Sequence, residues 1–545
     1  MTNQYQPLTE LNQIMDNNKD LDQTDGDYID SIPLDTFEIT QNDYYKIDNE
    51  NEIQLNMSQL NEMITNNVND DENNDVINNL VVVPKEKSFS FKQLRSFLGP
   101  ALLVSVGYLD PGNWATDIEG GSRFGTSLLW VLLFSNIIAL LLQTLVIRVS
   151  LVTGLNLAQM CAKEFQDNKI MRYSLWLISE LSIISTDLAE VIGTAIGLKL
   201  LFNVPMIAGV IITAVDTLLF LLIQRFGPRK LEFLMLLLLS AITSCFIVEL
   251  FLCKPSAKDV FKGFVPSLNR DSVFIATSIV GATVMPHNLF LHSGIVNSRS
   301  IGKDMDSIKQ ACKYNIIDTF LALNCAFFVN ASILILSATV FYANGIEVTE
   351  LADAHKLLGD LLNSKVGSVL FGVALLLSGQ SSTIGGTMAG QIVMEGFVQI
   401  RVKSWLRRLI TRSMAIVPAV VIILAMGEGA TYKLLISSQV VLSIALPFAV
   451  IPLIQFTSRS DIMSDLRSPK LMLLSSISVA LFIIILNFMT IYELIHDLLQ
   501  STLAIKIVTS VILIPIVFLL FLLLLYLISY RHQQKILKYL LINRK

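Results

Sequence analysis

FLGPALLVSVGYLDPGNWATDIEGG, residues 97–121, is long and apolar enough to enter a bilayer, yet Asp110-Pro-Gly-Asn113 sits near its middle. Proline lacks a backbone donor and collides with the carbonyl four residues earlier, so a regular helix does not pass through such a tetrapeptide unbroken. DSVFIATSIVGATVMPHNLFLHSGIVN, residues 271–297, is interrupted in the same manner by Met285-Pro-His-Asn288. Lipid offers no hydrogen bonds, so the exposed backbone at each break must face protein or a cavity.

The surrounding chain supplies the rest of a membrane fold. Of its 545 residues, 53% are hydrophobic and 16% charged, a balance too apolar for an ordinary soluble domain. Windows able to cross the hydrocarbon recur at 97–121, 127–153, 173–201, 204–222, 231–253, 271–297, 316–342, 366–397, 412–427, 434–456, 470–491 and 504–530. The expected fold class is therefore an all-α integral membrane protein of about twelve transmembrane helices. The two interrupted windows are the first and the sixth, and each opens a five-helix half. An inverted repeat of such halves brings the breaks together near the membrane midplane, the arrangement that forms the substrate site in many secondary transporters.

Residues 1–83 are rich in Asn, Asp, Gln and Glu and are expected to form a disordered acidic tail. Within it, Tyr5-Gln-Pro-Leu8 and Tyr44-Tyr-Lys-Ile47 match the tyrosine pattern read by trafficking adaptors. A basic juxtamembrane segment follows at 84–96, then a core at 97–456, two additional spans at 457–530 and a basic tail at 531–545. PKEKSFSFKQLR before the first span, RVKSWLRR before the ninth and RHQQKILKYLLINRK at the end share one face and carry most of the Lys and Arg, which puts both termini in the cytoplasm. No cleavable leader is visible. Net charge is −5 and the basic residues are confined between apolar runs, so a nucleic-acid partner is not expected. Cys161, Cys245, Cys253, Cys312 and Cys325 are scattered without ligand-like spacing, so neither a zinc site nor a disulfide framework is indicated.

The breaks offer an ion a carboxylate from Asp110, an amide oxygen from Asn113, a thioether from Met285 and a carbonyl near Ala282. Hard cations prefer all-oxygen shells, whereas a thioether favours softer ions, so the set leans towards Mn²⁺, Fe²⁺, Co²⁺ and Cd²⁺. Asp110 at bilayer depth costs about 2.5–3.5 kcal/mol on insertion scales, which argues for a function. Glu180, Asp187 and Glu190 form one stripe of the third span, suited to a proton path or to pairing with Arg407, Arg408 and Arg412 near the ninth. His287 and His292 lie about 140° apart around a helix, so they need not share a face. Asp216 is a further acid in span four, the small-residue run Gly379–Gly390 suits close helix packing, and Gln439 in span ten is an amide within reach of the cavity.

Together DPGN at 110–113, TDLAEVIG from Thr186, MPHN at 285–288, GQSST at 379–383 with MEGF at 394–397, and SQVVLSIALPF from Ser438 resemble the NRAMP family of proton-coupled divalent metal transporters. The resemblance runs from about Phe97 into the eleventh span. It implies a LeuT-like fold of two inverted five-helix repeats with broken helices one and six, plus two extra helices. It further implies metal ligation by Asp110, Asn113, Ala282 and Met285, with Gln439 joining in an occluded state. Proton handling in that family maps onto Glu180, Asp187, Glu190, His287 and His292; the residues themselves add Asp110, whose desolvation links metal entry to proton release, and Arg407 and Arg408 as partners of the acids. Magnesium-transporting relatives lack the methionine that this sequence keeps at Met285.

The metal is then cargo, no cofactor is expected, and no enzymatic activity is indicated. Endosomal, lysosomal, vacuolar and plasma membranes all remain open as the compartment. Two alternatives stand beside metal carriage: a sodium- or proton-coupled amino-acid carrier on the same scaffold, and a non-transporting metal sensor.

Overall fold

The computed structural model describes residues 81–82, 91–224, 228–302, 304–348, 350–361, 365–399, 404–500, 506–507 and 509–542. The adaptor signals at Tyr5 and Tyr44, and nearly all of the acidic tail, lie outside these residues.

Ten helical stretches among the described residues are long and apolar enough to cross a bilayer, and two shorter apolar helices begin at Pro100 and Met206. The longest stretch, 43 residues from Pro111 to Thr153, serves two crossings. A straight helix of that length would run about 65 Å, twice the hydrocarbon thickness of about 30 Å. Gly125, at φ +60°, breaks it where a short 3₁₀ turn leads into the next helix. The described residues thus hold twelve spans. In order these are the broken first span (Pro100–Ser105, then Pro111–Phe124), Leu129–Thr153, Lys169–Phe202, Met206–Gln224 and Pro228–Cys253. The second half repeats the order with the broken sixth span (Arg270–Thr283, then Pro286–Ile295), Met305–Val340, Lys365–Val398, Ser404–Met426 and Ala430–Thr457. Lys470–Gln500 and the helix starting at Thr509 complete the set.

Burial sorts the spans. The most apolar window of the sixth span is 94% buried, those of the tenth and third 78% and 72%, and that of the twelfth only 6%. The broken helices and their neighbours therefore form the centre, and the last span lies at the lipid boundary, where exposed Phe518 and Leu519 meet a solvent as apolar as themselves. Span eleven docks on spans ten and six through polar links. Ser443 donates to Asn487 at 2.6 Å, Asn487 donates back to the Ser443 carbonyl at 2.7 Å, and Thr490 donates to Thr277 at 2.7 Å.

Two spans start eight or more residues earlier than hydropathy predicts. The seventh begins at Met305 rather than 316, because Asp304 caps it by accepting from the Ser307 amide and the first turns continue beyond the apolar zone. The ninth begins at Ser404 rather than 412, because Arg407, Arg408 and Arg412 are buried against other spans, where a hydropathy window reads only polarity. At the basic membrane face, Val81–Val82 pairs in parallel with Arg299–Ser300.

Candidate functional site

Both breaks occur just before the prolines. In the first span the chain leaves a 3₁₀ turn at Gly107–Leu109, Asp110 is extended (φ −62°, ψ 160°), and Pro111 takes the first position of the second half-helix. In the sixth, Val284 and Met285 are non-helical and Pro286 opens the next piece. A proline in that position loses no hydrogen bond, since the first amides of a helix have no partner in any case. The prolines thus start half-helices instead of kinking continuous ones.

Asp110 caps its half-helix: Oδ1 accepts from the Asn113 amide at 2.8 Å and from Asn113 Nδ2 at 2.7 Å. Asn113 Nδ2 also donates to the Ala282 carbonyl at 3.0 Å, tying the first break directly to the last turn of the sixth span's first half. Ala282 is therefore helical, and its carbonyl is one of those that every helix end leaves over. Met285 accepts a weak contact from Asn288 Nδ2 at 3.6 Å. Gln439 of span ten lies against Gly112, where a Cβ would come within 1.8 Å of its Nε2. Gly281 similarly admits the Gln439 carbonyl, at 2.3 Å from a Cβ position. Small residues at 112 and 281 are thus what lets span ten close over the breaks.

Three oxygens here find no hydrogen-bond donor: Asp110 Oδ2, Asn113 Oδ1 and Gln439 Oε1. Asp110, Asn113, Ala282, Met285 and Gln439 are all at most 1% exposed, so the site is closed to bulk water. Buried acceptors without donors are rare and costly, and a set sharing one place is complementary to a desolvated cation.

The acids of span three do not line an open path. Each is held by an arginine of span nine. Glu180 takes a two-oxygen contact from Arg407 Nη2 at 3.1 and 3.0 Å, and Trp176 donates to it at 3.2 Å. Arg408 meets Asp187 at 2.5 Å and Glu190 at 3.5 Å, while Arg412 reaches Glu190 at 3.3 Å. Thr383 of span eight also donates to Glu190 at 2.9 Å. Removing one member of such a buried pair typically costs about 3–5 kcal/mol, because the other charge is stranded.

The two histidines look in different directions. His287 Nδ1 is 3.3 Å from the Thr186 hydroxyl, beside Asp187, and so joins the breaks to the ion-pair ladder. His292 Nδ1 lies 2.7 Å from Gln143 Oε1, and Gln143 in turn donates to the Tyr108 hydroxyl at 3.1 Å, on the span-two side. The side chain of Asp216 lies outside the described residues.

Sequence reading quoted Thr383 within GQSST without giving it a role, and missed Gln143, Tyr108 and the acid Asp117. Asp117 lies two helical turns beyond Asp110 on the same face, is fully buried, and has both carboxylate oxygens unpartnered. Its seven-residue spacing from Asp110 was the available signal. Glu249 of span five is a second buried acid with both oxygens unpartnered.

The Nramp family model, described as natural resistance-associated macrophage protein-like, matches residues 101–493. A Dictyostelium discoideum protein named natural resistance-associated macrophage protein 2 homolog is 61% identical over 446 residues, 81% of this chain and 71% of its own. A Brucella suis protein named divalent metal cation transporter MntH is 50% identical over 409 residues, 74% of this chain and 89% of its own. The crystal structure of a mutant Eremococcus coleocola manganese transporter superposes with a TM-score of 0.75 at 34% identity, covering 83% of this chain and 97% of that one. With the family model running across both breaks and the structural match covering most of each chain, this chain has the LeuT fold and belongs to the Nramp family of membrane transporters.

Proposed function

We propose that the chain carries divalent transition-metal ions, Mn²⁺ and Fe²⁺ foremost and Co²⁺ or Cd²⁺ by the same chemistry, into the cytosol together with protons by alternating access. One observation supports this reading: buried, donor-less oxygens of Asp110, Asn113 and Gln439 lie at the breaks, where Asn113 bridges Asp110 to the Ala282 carbonyl, and buried Met285 stands at the second break to complete the shell in this reading. One anion, neutral oxygens and a thioether make a shell that suits a borderline-soft divalent ion better than Mg²⁺ or Ca²⁺. The names of the Brucella suis and Eremococcus coleocola relatives accord with it.

Asp110 exchanges its proton for the arriving cation, and His287 passes protons towards Asp187 and Glu190, with Glu180, Arg407 and Arg408 completing the route across spans three and nine. His292 handles protons on the span-two side through Gln143. The Lys and Arg bias supports cytosolic termini, and an acidic exterior or lumen then drives entry. The tyrosine signals at Tyr5 and Tyr44 suit endosomal adaptors.

The test uses purified protein in sealed vesicles with the outside acidified. Mn²⁺ uptake should accelerate with the inward proton gradient, and the lumen should acidify in step. No uptake at any external pH, or transport competed by glycine or leucine but not by Cd²⁺, would overturn the reading in favour of the sensor or the amino-acid carrier.

A further inference from the structure

A groove of about 540 Å³ runs between spans three and twelve, walled by Ile170, Leu177, Ile178, Leu519 and Leu523 among others. That volume is within the range of about 300–1,000 Å³ common for small-molecule pockets. Its walls are apolar and face outward, with Ile170 80% and Leu519 65% exposed, so its occupant is supplied by the membrane rather than by water. Apart from Ser174, the polar lining lies at one end, where Asn168 Nδ2 donates to the Tyr526 hydroxyl at 2.8 Å.

That end is also cationic. Lys169 stands between the lining residues Asn168 and Ile170 and is exposed, as is Lys163 one short connection earlier. The Phe165 ring lies 4.8 Å from that of Tyr530, bringing this connection against the end of span twelve. Of the nearby acids, Glu164 is engaged by Arg459 at 2.6 Å, which leaves Asp167 as the exposed counter-charge. An apolar slot with a basic mouth at the level of a membrane face matches one kind of molecule.

We infer that the groove between spans three and twelve is a binding site for an anionic phospholipid, one acyl chain lying along Leu177 and Leu523 and the headgroup held at Lys163 and Lys169. The lipid thereby cements the twelfth span, which makes little protein contact of its own, to the transport core. The inference is independent of the cargo, since its readouts are lipid binding and helix docking rather than transport.

The full chain is purified from vesicles of equal phosphatidylglycerol and phosphatidylcholine and weighed by native mass spectrometry. At the strength of surface cations on anionic membranes, two lysines favour the retained anionic lipid about thirtyfold. Lys163→Glu with Lys169→Glu should abolish that preference, and Ser174→Trp, which fills the groove, should remove the retained lipid. Leu177→Trp serves as a second filler should the first variant fail to fold. Thermal unfolding should rise with added phosphatidylglycerol in the parent and stay flat in the fillers. Equal retention of the two lipids, retention undiminished by both fillers, or a dimer mass that the fillers split would each overturn the inference, the last by assigning the groove to a second copy of the chain.

Discussion

Gly112→Ala tests the closure of span ten over the breaks with the least possible change. The added Cβ would stand 1.8 Å from Gln439 Nε2 and 2.4 Å from its Cδ, against an ordinary contact of about 3.5 Å. The amide must therefore withdraw by about 1.5–2 Å, more than a metal–oxygen bond tolerates. Gly112 is helical, so alanine adds up to about 1 kcal/mol of helix propensity and does not strain the backbone. Losing one oxygen from a charged partner costs about 1.5–3 kcal/mol, which raises the KM for Mn²⁺ about ten- to a hundredfold. The assay is Mn²⁺ uptake in vesicles for Gly112→Ala, Gln439→Ala and the pair, beside thermal unfolding of each. Expected are intact folds, similar single losses, and a double variant little worse than Gln439→Ala, since both changes remove the same contact. Parental KM in Gly112→Ala, or losses that multiply in the double variant, would refute the placement of Gln439 at the ion.

Met285→Ala should reduce discrimination of Mn²⁺ against Ca²⁺ in competition uptake while Mn²⁺ transport persists; unchanged discrimination removes the thioether from the shell. Arg408→Met strands Asp187, while Glu190 keeps Arg412, and should destabilise the protein by about 3–5 kcal/mol, read as lost thermal stability. Adding Asp187→Asn should recover most of that stability, and failure to do so would mean the arginine acts through something other than this acid. For topology, a cysteine replacing Lys258, exposed between spans five and six, should react with an impermeant thiol reagent outside intact cells, whereas one replacing Lys163 should require permeabilisation. The opposite pattern would invert the orientation.

Individual residues show how far one dimension reaches. Asp110-Pro and Met285-Pro were legible because proline and a membrane-depth carboxylate each violate what an apolar helix permits, and violations stand out locally. Arg407, Arg408 and Arg412 misplaced the start of span nine for the converse reason: their charges are neutralised by span three, which hydropathy cannot see. The spacing of Asp117 from Asp110 was legible, but that both its oxygens lack a partner is a property that exists only once the neighbours are placed.

The amino-acid order by itself determined the number of spans, the two breaks and the ligand chemistry on offer, since these follow from solvation of local stretches in lipid. Tertiary structure alone decided that Asn113 bridges Asp110 to Ala282, that Gln439 rests on Gly112, and that His287 and His292 serve separate networks. Those are relations between helices far apart in the chain, fixed by how closely small residues let backbones approach and by which buried charge finds its opposite.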